Sequence, residues 1–111
     1  MMEWIAVASI VYVPAVVLGE LHAGFRLGSR SAENEATLRA FLGESFVDVF
    51  IVDADVSRRY GDTFALLRQA GTPIPTNDIW IAATTFVTGG HLVTFDADFA
   101  RVAGLPHTVL A

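Results

Sequence analysis

Short runs of apolar, β-branched and aromatic residues alternate along this chain with longer stretches whose apolar positions recur at helical spacing, and this alternation most constrains its fold. Ile10 to Val13 reads as a strand, and Pro14 suits the first turn of a helix, where a missing N–H is no loss. That helix should run to about Leu27, with Gly28 as its stop. Ser31 is a good N-cap for a second helix, which carries Leu38, Phe41 and Leu42 on one face and ends at Gly43. Glu33 and Glu35 place negative charge near its start, where the helix dipole favours it.

Phe46 to Val52 reads as a buried strand, after which Asp53 can cap a helix carrying Val56, Tyr60, Phe64 and Leu67 up to Ala70. Gly71-Thr72-Pro73 breaks that helix, and Thr76 or Asn77 caps the next, which runs through Trp80, Ile81 and Phe86 to Gly89-Gly90. His91 to Thr94 is then a strand, Asp98 to Ala103 a short helical turn, and Thr108 to Leu110 a last strand. Strands alternating with helices predict an α/β domain with a parallel sheet. No linker, repeat or low-complexity tract divides the 111 residues, so 1–111 is expected to be a single domain.

Composition excludes several functions. With 53% hydrophobic residues the chain can bury a core. There is no cysteine, hence no disulfide framework, thiolate metal site or cysteine nucleophile, which suits a reducing cytoplasm. All seven basic residues are arginines, and the net charge of −5 argues against broad electrostatic binding of nucleic acid. The apolar run from Trp4 to Leu18 holds Ser9, Tyr12 and Pro14 between Glu3 and Glu20, which fits neither a membrane span nor a signal peptide.

The acids fall where an α/β fold can use them, because ligands gather beyond the carboxyl ends of parallel strands. Glu20 lies one to two helical turns beyond the first strand, Asp78 at a helix N-terminus, and Asp96 directly after the strand ending at Thr94. Carboxylates brought together would repel or recruit a hard divalent cation such as Mg²⁺ or Mn²⁺. A cation held there would activate water for phosphodiester hydrolysis. Each acid also has a structural explanation: an exposed helical carboxylate for Glu20, a first-turn residue stabilising the dipole for Asp78, and an N-cap for the Asp96–Asp98 pair. If the acids do cluster without metal, Asp96→Asn should raise the melting temperature by relieving like-charge repulsion; a drop would mark a cap.

Other arrangements fail on spacing. His22 is two residues from Glu20, on a different helical face, so no zincin-like pair exists. His91 and His107 stand alone, the glycines make neither G-x-G-x-x-G nor a P-loop, and no serine has a nucleophile-elbow context.

Three segments carry a resemblance: Pro14-Ala15-Val16-Val17-Leu18-Gly19-Glu20-Leu21-His22-Ala23-Gly24, Thr76-Asn77-Asp78-Ile79-Trp80-Ile81-Ala82-Ala83 and Thr94-Phe95-Asp96-Ala97-Asp98-Phe99. Together they resemble PIN-domain ribonucleases, most closely the VapC-type toxins of bacterial toxin–antitoxin pairs. The resemblance implies a three-layer α/β fold, a central parallel sheet flanked by helices, and a Mg²⁺-dependent (or Mn²⁺-dependent) endoribonuclease acting on structured RNA. It further implies a homodimer held inactive by a VapB-like antitoxin. Glu20, Asp78 and Asp96 would be catalytic metal ligands, with Asp98 an additional ligand. Arg26 or Arg30, and Arg58 or Arg59, would contact phosphate, and Thr94 would orient the site.

Members of this family begin with an apolar strand ending in an aspartate, and no residue before Ile10 supplies it. Met1 to Ser9 reads as the tail of the helix that follows that strand, so about 25 to 30 further residues are expected ahead of it. A chain without that strand should be poorly stable and short of one of four acids. The leading expectation is therefore a natural start further upstream. The alternatives are a catalytically inactive relic that serves as a protein-binding module, and a fragment in which Trp4 to Ile10 fills the sheet.

Overall fold

The computed structural model describes residues 10–110, so the expected helix tail at Met1 to Ser9 lies outside the described residues. The chain divides into two compact units, Met1–Ile51 and Val52–Ala111.

The first unit holds strand β1 (Val11–Pro14), helix α1 (Ala15–Leu27), helix α2 (Ser31–Leu42) and strand β2 (Val47–Phe50). β1 and β2 are parallel, with Val11 opposite Val47 and Pro14 opposite Phe50. Pro14 closes the strand instead of opening the helix: its φ of −60° and ψ of 140° are extended. The segment Phe46 to Val52 yields only four strand residues, because the register with β1 ends at Phe50. Tyr12 and Phe50 meet edge to face at 5.7 Å, and Phe41 and Phe46 likewise at 6.4 Å. α1 stops at Gly28 as expected, its N–H donating to the Phe25 carbonyl at 3.2 Å. Ser31 is not the cap of α2. Arg30 holds that position, its carbonyl accepting from Asn34 N at 2.9 Å, with no side-chain cap bond. Across the helix pair, His22 Nδ1 lies 2.7 Å from Glu35 Oε1.

The second unit holds helix α3 (Ala54–Ala70), helix α4 (Thr76–Thr88), strand β3 (Leu92–Thr94), a 3-10 helix (Ala97–Arg101) and strand β4 (His107–Val109). Asp53 caps α3 as the sequence predicts, its Oδ1 accepting from Val56 N at 3.0 Å. Gly71 ends the helix in the left-handed region, φ +70°, where glycine alone pays no steric cost, and Thr72 N donates back to the Leu67 carbonyl at 3.0 Å. α4 starts from a backbone carbonyl, because Pro75 O accepts from both Asp78 N and Ile79 N. Thr76 and Asn77 are therefore inside the helix rather than capping it.

The α3–α4 pair supplies much of the core. Val56, Leu67, Ile79, Ile81, Ala82 and Ala83 are buried, and Tyr60 stacks on Trp80 at 4.0 Å between centroids. The buried hydroxyls of Thr84 and Thr85 donate to the carbonyls of Trp80 and Ile81, one helical turn back, so neither is left unsatisfied. The Arg59 guanidinium lies 3.9 Å from the Phe86 ring centroid. β3 and β4 are parallel, Leu92 opposite His107 and Thr94 opposite Val109. His91 and His107, which the sequence leaves alone, have local partners: His91 Nε2 lies 2.7 Å from Thr108 Oγ1, and His107 Nδ1 lies 2.7 Å from the Leu105 carbonyl.

The parallel α/β character read from the sequence is present. The ladders among the described residues form two two-stranded sheets, β1–β2 and β3–β4, and no described strand pairs with both. No helix among the described residues is long and apolar enough to cross a membrane.

Candidate metal and phosphodiester site

Asp96 ends the loop that leaves β3, and local hydrogen bonds fix it. Thr94 Oγ1 accepts from Asp96 N at 3.1 Å, and Asp96 Oδ1 accepts from Asp98 N at 2.8 Å. Leu110 N donates to the Thr94 carbonyl at 2.7 Å, so the strand end is tied to the chain beyond β4. Asp96 thereby caps the 3-10 helix, whose Phe99 is 3% exposed and anchors the turn in the core. One carboxylate oxygen of Asp96 is committed to this cap, while the residue remains exposed. Asp98 is half-buried, two positions on.

A guanidinium ties this loop to the segment before α4. Arg101 Nη1 donates to the Pro73 carbonyl at 3.1 Å, and its Nη2 lies 3.8 Å from Asp98 Oδ1. Its only signature in the sequence is its i,i+3 spacing from Asp98, too common a pattern to single it out. Asp78 is in the first turn of α4, half-buried, where a carboxylate is stabilised by the helix dipole.

Glu20 belongs to the first unit. It is exposed on α1, and among the described residues a Cβ added at Gly19 or Gly24 would meet nothing within 4 Å. Arg26 is in the last turn of α1, and Arg30 lies 3.8 Å from Glu33 with both side chains well exposed. Arg58 similarly faces Asp55 at 3.9 Å, and Arg59 is engaged with Phe86. Thr94 acts within the loop, accepting from the Asp96 amide.

Among the described residues no group of three or more His, Asp or Glu side chains is gathered as a metal site; Glu20 lies in the first unit, Asp78 and Asp96 in the second. The donor type fits a hard divalent cation nonetheless. Asp96 keeps its second carboxylate oxygen outside the cap, Asp98 adds another carboxylate, and oxygen donors of this kind are what such ions take. A hollow of about 400 Å³ in the second unit is lined by Phe64, Leu67, Arg68, Gly71, Pro73, Ile74 and Ile79. Among the described residues no carboxylate lines it, so they offer a cation no charged oxygen donor.

The PIN domain family model matches residues 1–105. Ribonuclease VapC4 of Mycobacterium tuberculosis (strain ATCC 25618 / H37Rv) is 32% identical over 90 residues, which cover 81% of this chain and 69% of that protein. Ribonuclease VapC2 of Rickettsia felis (strain ATCC VR-1525 / URRWXCal2) is 28% identical over 105 residues, 94% of this chain and 77% of that protein. Among solved structures, VapBC2 from Rickettsia felis, bound to a DNA fragment from its promoter, superposes with a TM-score of 0.85 at 27% identity, covering 97% of this chain and 80% of that one. VapBC-1 from nontypeable Haemophilus influenzae gives the same TM-score at 20% identity, covering 97% and 82%, a likeness of fold.

Proposed function

The chain belongs to the PIN-domain family, and on that premise we propose that it is a Mg²⁺-dependent (or Mn²⁺-dependent) endoribonuclease toxin, restrained by a VapB-like antitoxin. The observation that carries this reading is the hydrogen-bonded Asp96–Asp98 turn at the carboxyl end of β3, in the spelling that resembles the family's last acidic motif. Similarity to two ribonucleases supports the reaction, and the likeness to VapBC assemblies supports the partner. Homodimerisation and a cytoplasmic location belong to the same proposal.

Glu20, Asp78 and Asp96, with Asp98 as a further donor, would hold the cation. When bound, such an ion would supply Lewis acidity, making a water more acidic and offsetting charge that develops on the phosphate. The protein's part is to keep these oxygens oriented before substrate arrives. The Asp98 amide fixes one oxygen of Asp96, Thr94 fixes the backbone amide behind it, and the first turn of α4 holds Asp78 where its charge is favoured. Arg26 or Arg30, and Arg58 or Arg59, would supply phosphate contacts that a net charge of −5 does not provide globally.

The test is cleavage of total RNA by the purified protein with Mg²⁺, with EDTA, and with Asp78→Asn. Metal-dependent cleavage lost in the variant is the expected result. No cleavage, together with tight binding of a cognate antitoxin, would replace the nuclease with a protein-binding module.

A further inference from the structure

We propose that Phe95 receives the base of an unpaired nucleotide flanking the scissile phosphate, and so selects RNA loops or single strands over duplex; the proposal rests on the nuclease reading above. Phe95 is 69% exposed, the most exposed aromatic side chain among the described residues. Phe99, four positions on in the same segment, is 3% exposed and meets the packing need of the turn. The core therefore does not require a ring at position 95.

The backbone on both sides of Phe95 is nonetheless held. Thr94 is bonded through its carbonyl to Leu110 N at 2.7 Å and through its hydroxyl to Asp96 N at 3.1 Å, and Asp96 is bonded to Asp98 N at 2.8 Å. A fixed loop that presents a large apolar ring to water forgoes the gain from burying it, which a bound ligand can recover.

Chemistry selects the ligand. Phe95 is covalently adjacent to Asp96, and neighbouring Cα atoms are about 3.8 Å apart. Phe95 occupies the bend between the end of β3 and Asp96, one residue from the carboxylate. Its reach is to a nucleotide next to the one being cut, not to the scissile position itself. Near Asp96 and Asp98 a polyanion gains nothing from long-range charge, and the net charge of −5 gives no general attraction. Stacking of a base on an aromatic face needs no charge and tolerates any base. It requires that the base be splayed out of a helix, which loops and single strands allow and A-form duplex does not.

Steady-state cleavage by wild type, Phe95→Ala and Phe95→Trp should be measured on a hairpin with a single-stranded loop and on a duplex of the same composition. Phe95→Ala should raise KM for the hairpin about tenfold, with the loss on KM rather than kcat, and unfolding temperature should not move because the side chain is exposed. Phe95→Trp should restore KM, and its fluorescence in excess of wild type should be quenched by hairpin RNA in EDTA. An unchanged KM for Phe95→Ala with normal cleavage would overturn this proposal and leave the nuclease reading intact. A change of oligomeric state in Phe95→Ala, seen by light scattering, would overturn it in favour of a contact between copies. If wild type cleaves nothing while Phe95→Trp is still quenched by RNA, base capture stands and the catalytic reading falls. Neither cleavage nor quenching removes both.

Discussion

Asp96 caps a turn and is proposed to hold a cation, and two substitutions distinguish these duties. As a cap, its Oδ1 accepts from Asp98 N at 2.8 Å. Loss of such a cap costs about 1 kcal/mol, and because Asp96 is exposed the freed amide can turn to water, which keeps the cost at or below that value. For a chain of this size 1 kcal/mol corresponds to about 4 °C in melting temperature. Asp96→Ala should therefore melt about 2 to 4 °C lower by circular dichroism in EDTA. Asp96→Asn retains an acceptor oxygen and should melt within about 2 °C of wild type.

From the sequence, a higher melt for Asp96→Asn is expected only if the acids cluster without metal, and a drop marks a cap. Within the second unit the adjacent acid of the turn, Asp98, lies 3.8 Å from the Arg101 guanidinium, which offsets its charge toward Asp96. In RNA cleavage the asparagine variant should lose at least the roughly 10- to 100-fold that loss of even an outer-shell partner of a metal costs. Wild-type cleavage by Asp96→Asn would refute the ligand assignment. An unchanged melting temperature in Asp96→Ala would refute the cap.

Two further predictions concern the frame that holds the acids. Val56, fully buried and bonded through its amide to the α3 cap, should cost about 2 kcal/mol on conversion to alanine, read as a shift in urea midpoint without a change in slope. Gly71→Ala should cost about 1 kcal/mol although a Cβ there meets nothing within 4 Å, because the penalty comes from a φ of +70°; a neutral result by thermal melting would show that the turn relaxes.

Where structure is set by nearest neighbours, the sequence reports it. Asp53 as the α3 cap, Gly71 and Gly89 as stops, and the placement of Asp78 in a first helical turn are local matters of side-chain reach and φ preference. The starts of α2 and α4 were misread because backbone carbonyls of Arg30 and Pro75 accept the first helical bonds, leaving serine, threonine and asparagine side chains without that task. The length of β2 was overestimated because an apolar run does not state how many residues its partner will pair, and the register with β1 admits four. The Asp96–Asp98 turn was legible as an acid pair, its capping reading following from the spacing and its functional reading from the resemblance. The Arg101 link to Pro73 was not, because a bond from a side chain to a backbone carbonyl 28 residues away leaves no trace in local pattern.

That link gives the second unit a way to lose the proposed alignment of Asp96 and Asp78 while remaining folded. Two weak, solvent-exposed contacts of a single guanidinium stand between the turn bearing Asp96 and the segment that launches Asp78. Free guanidinium ions compete for the same carbonyl and carboxylate, at concentrations that leave Val56, Ile79 and Phe99 sealed in the core. Opening of this kind exposes little apolar surface, so denaturant m-values and cooperative melts would pass over it, and amide exchange confined to the stretch around Asp98 would be its trace.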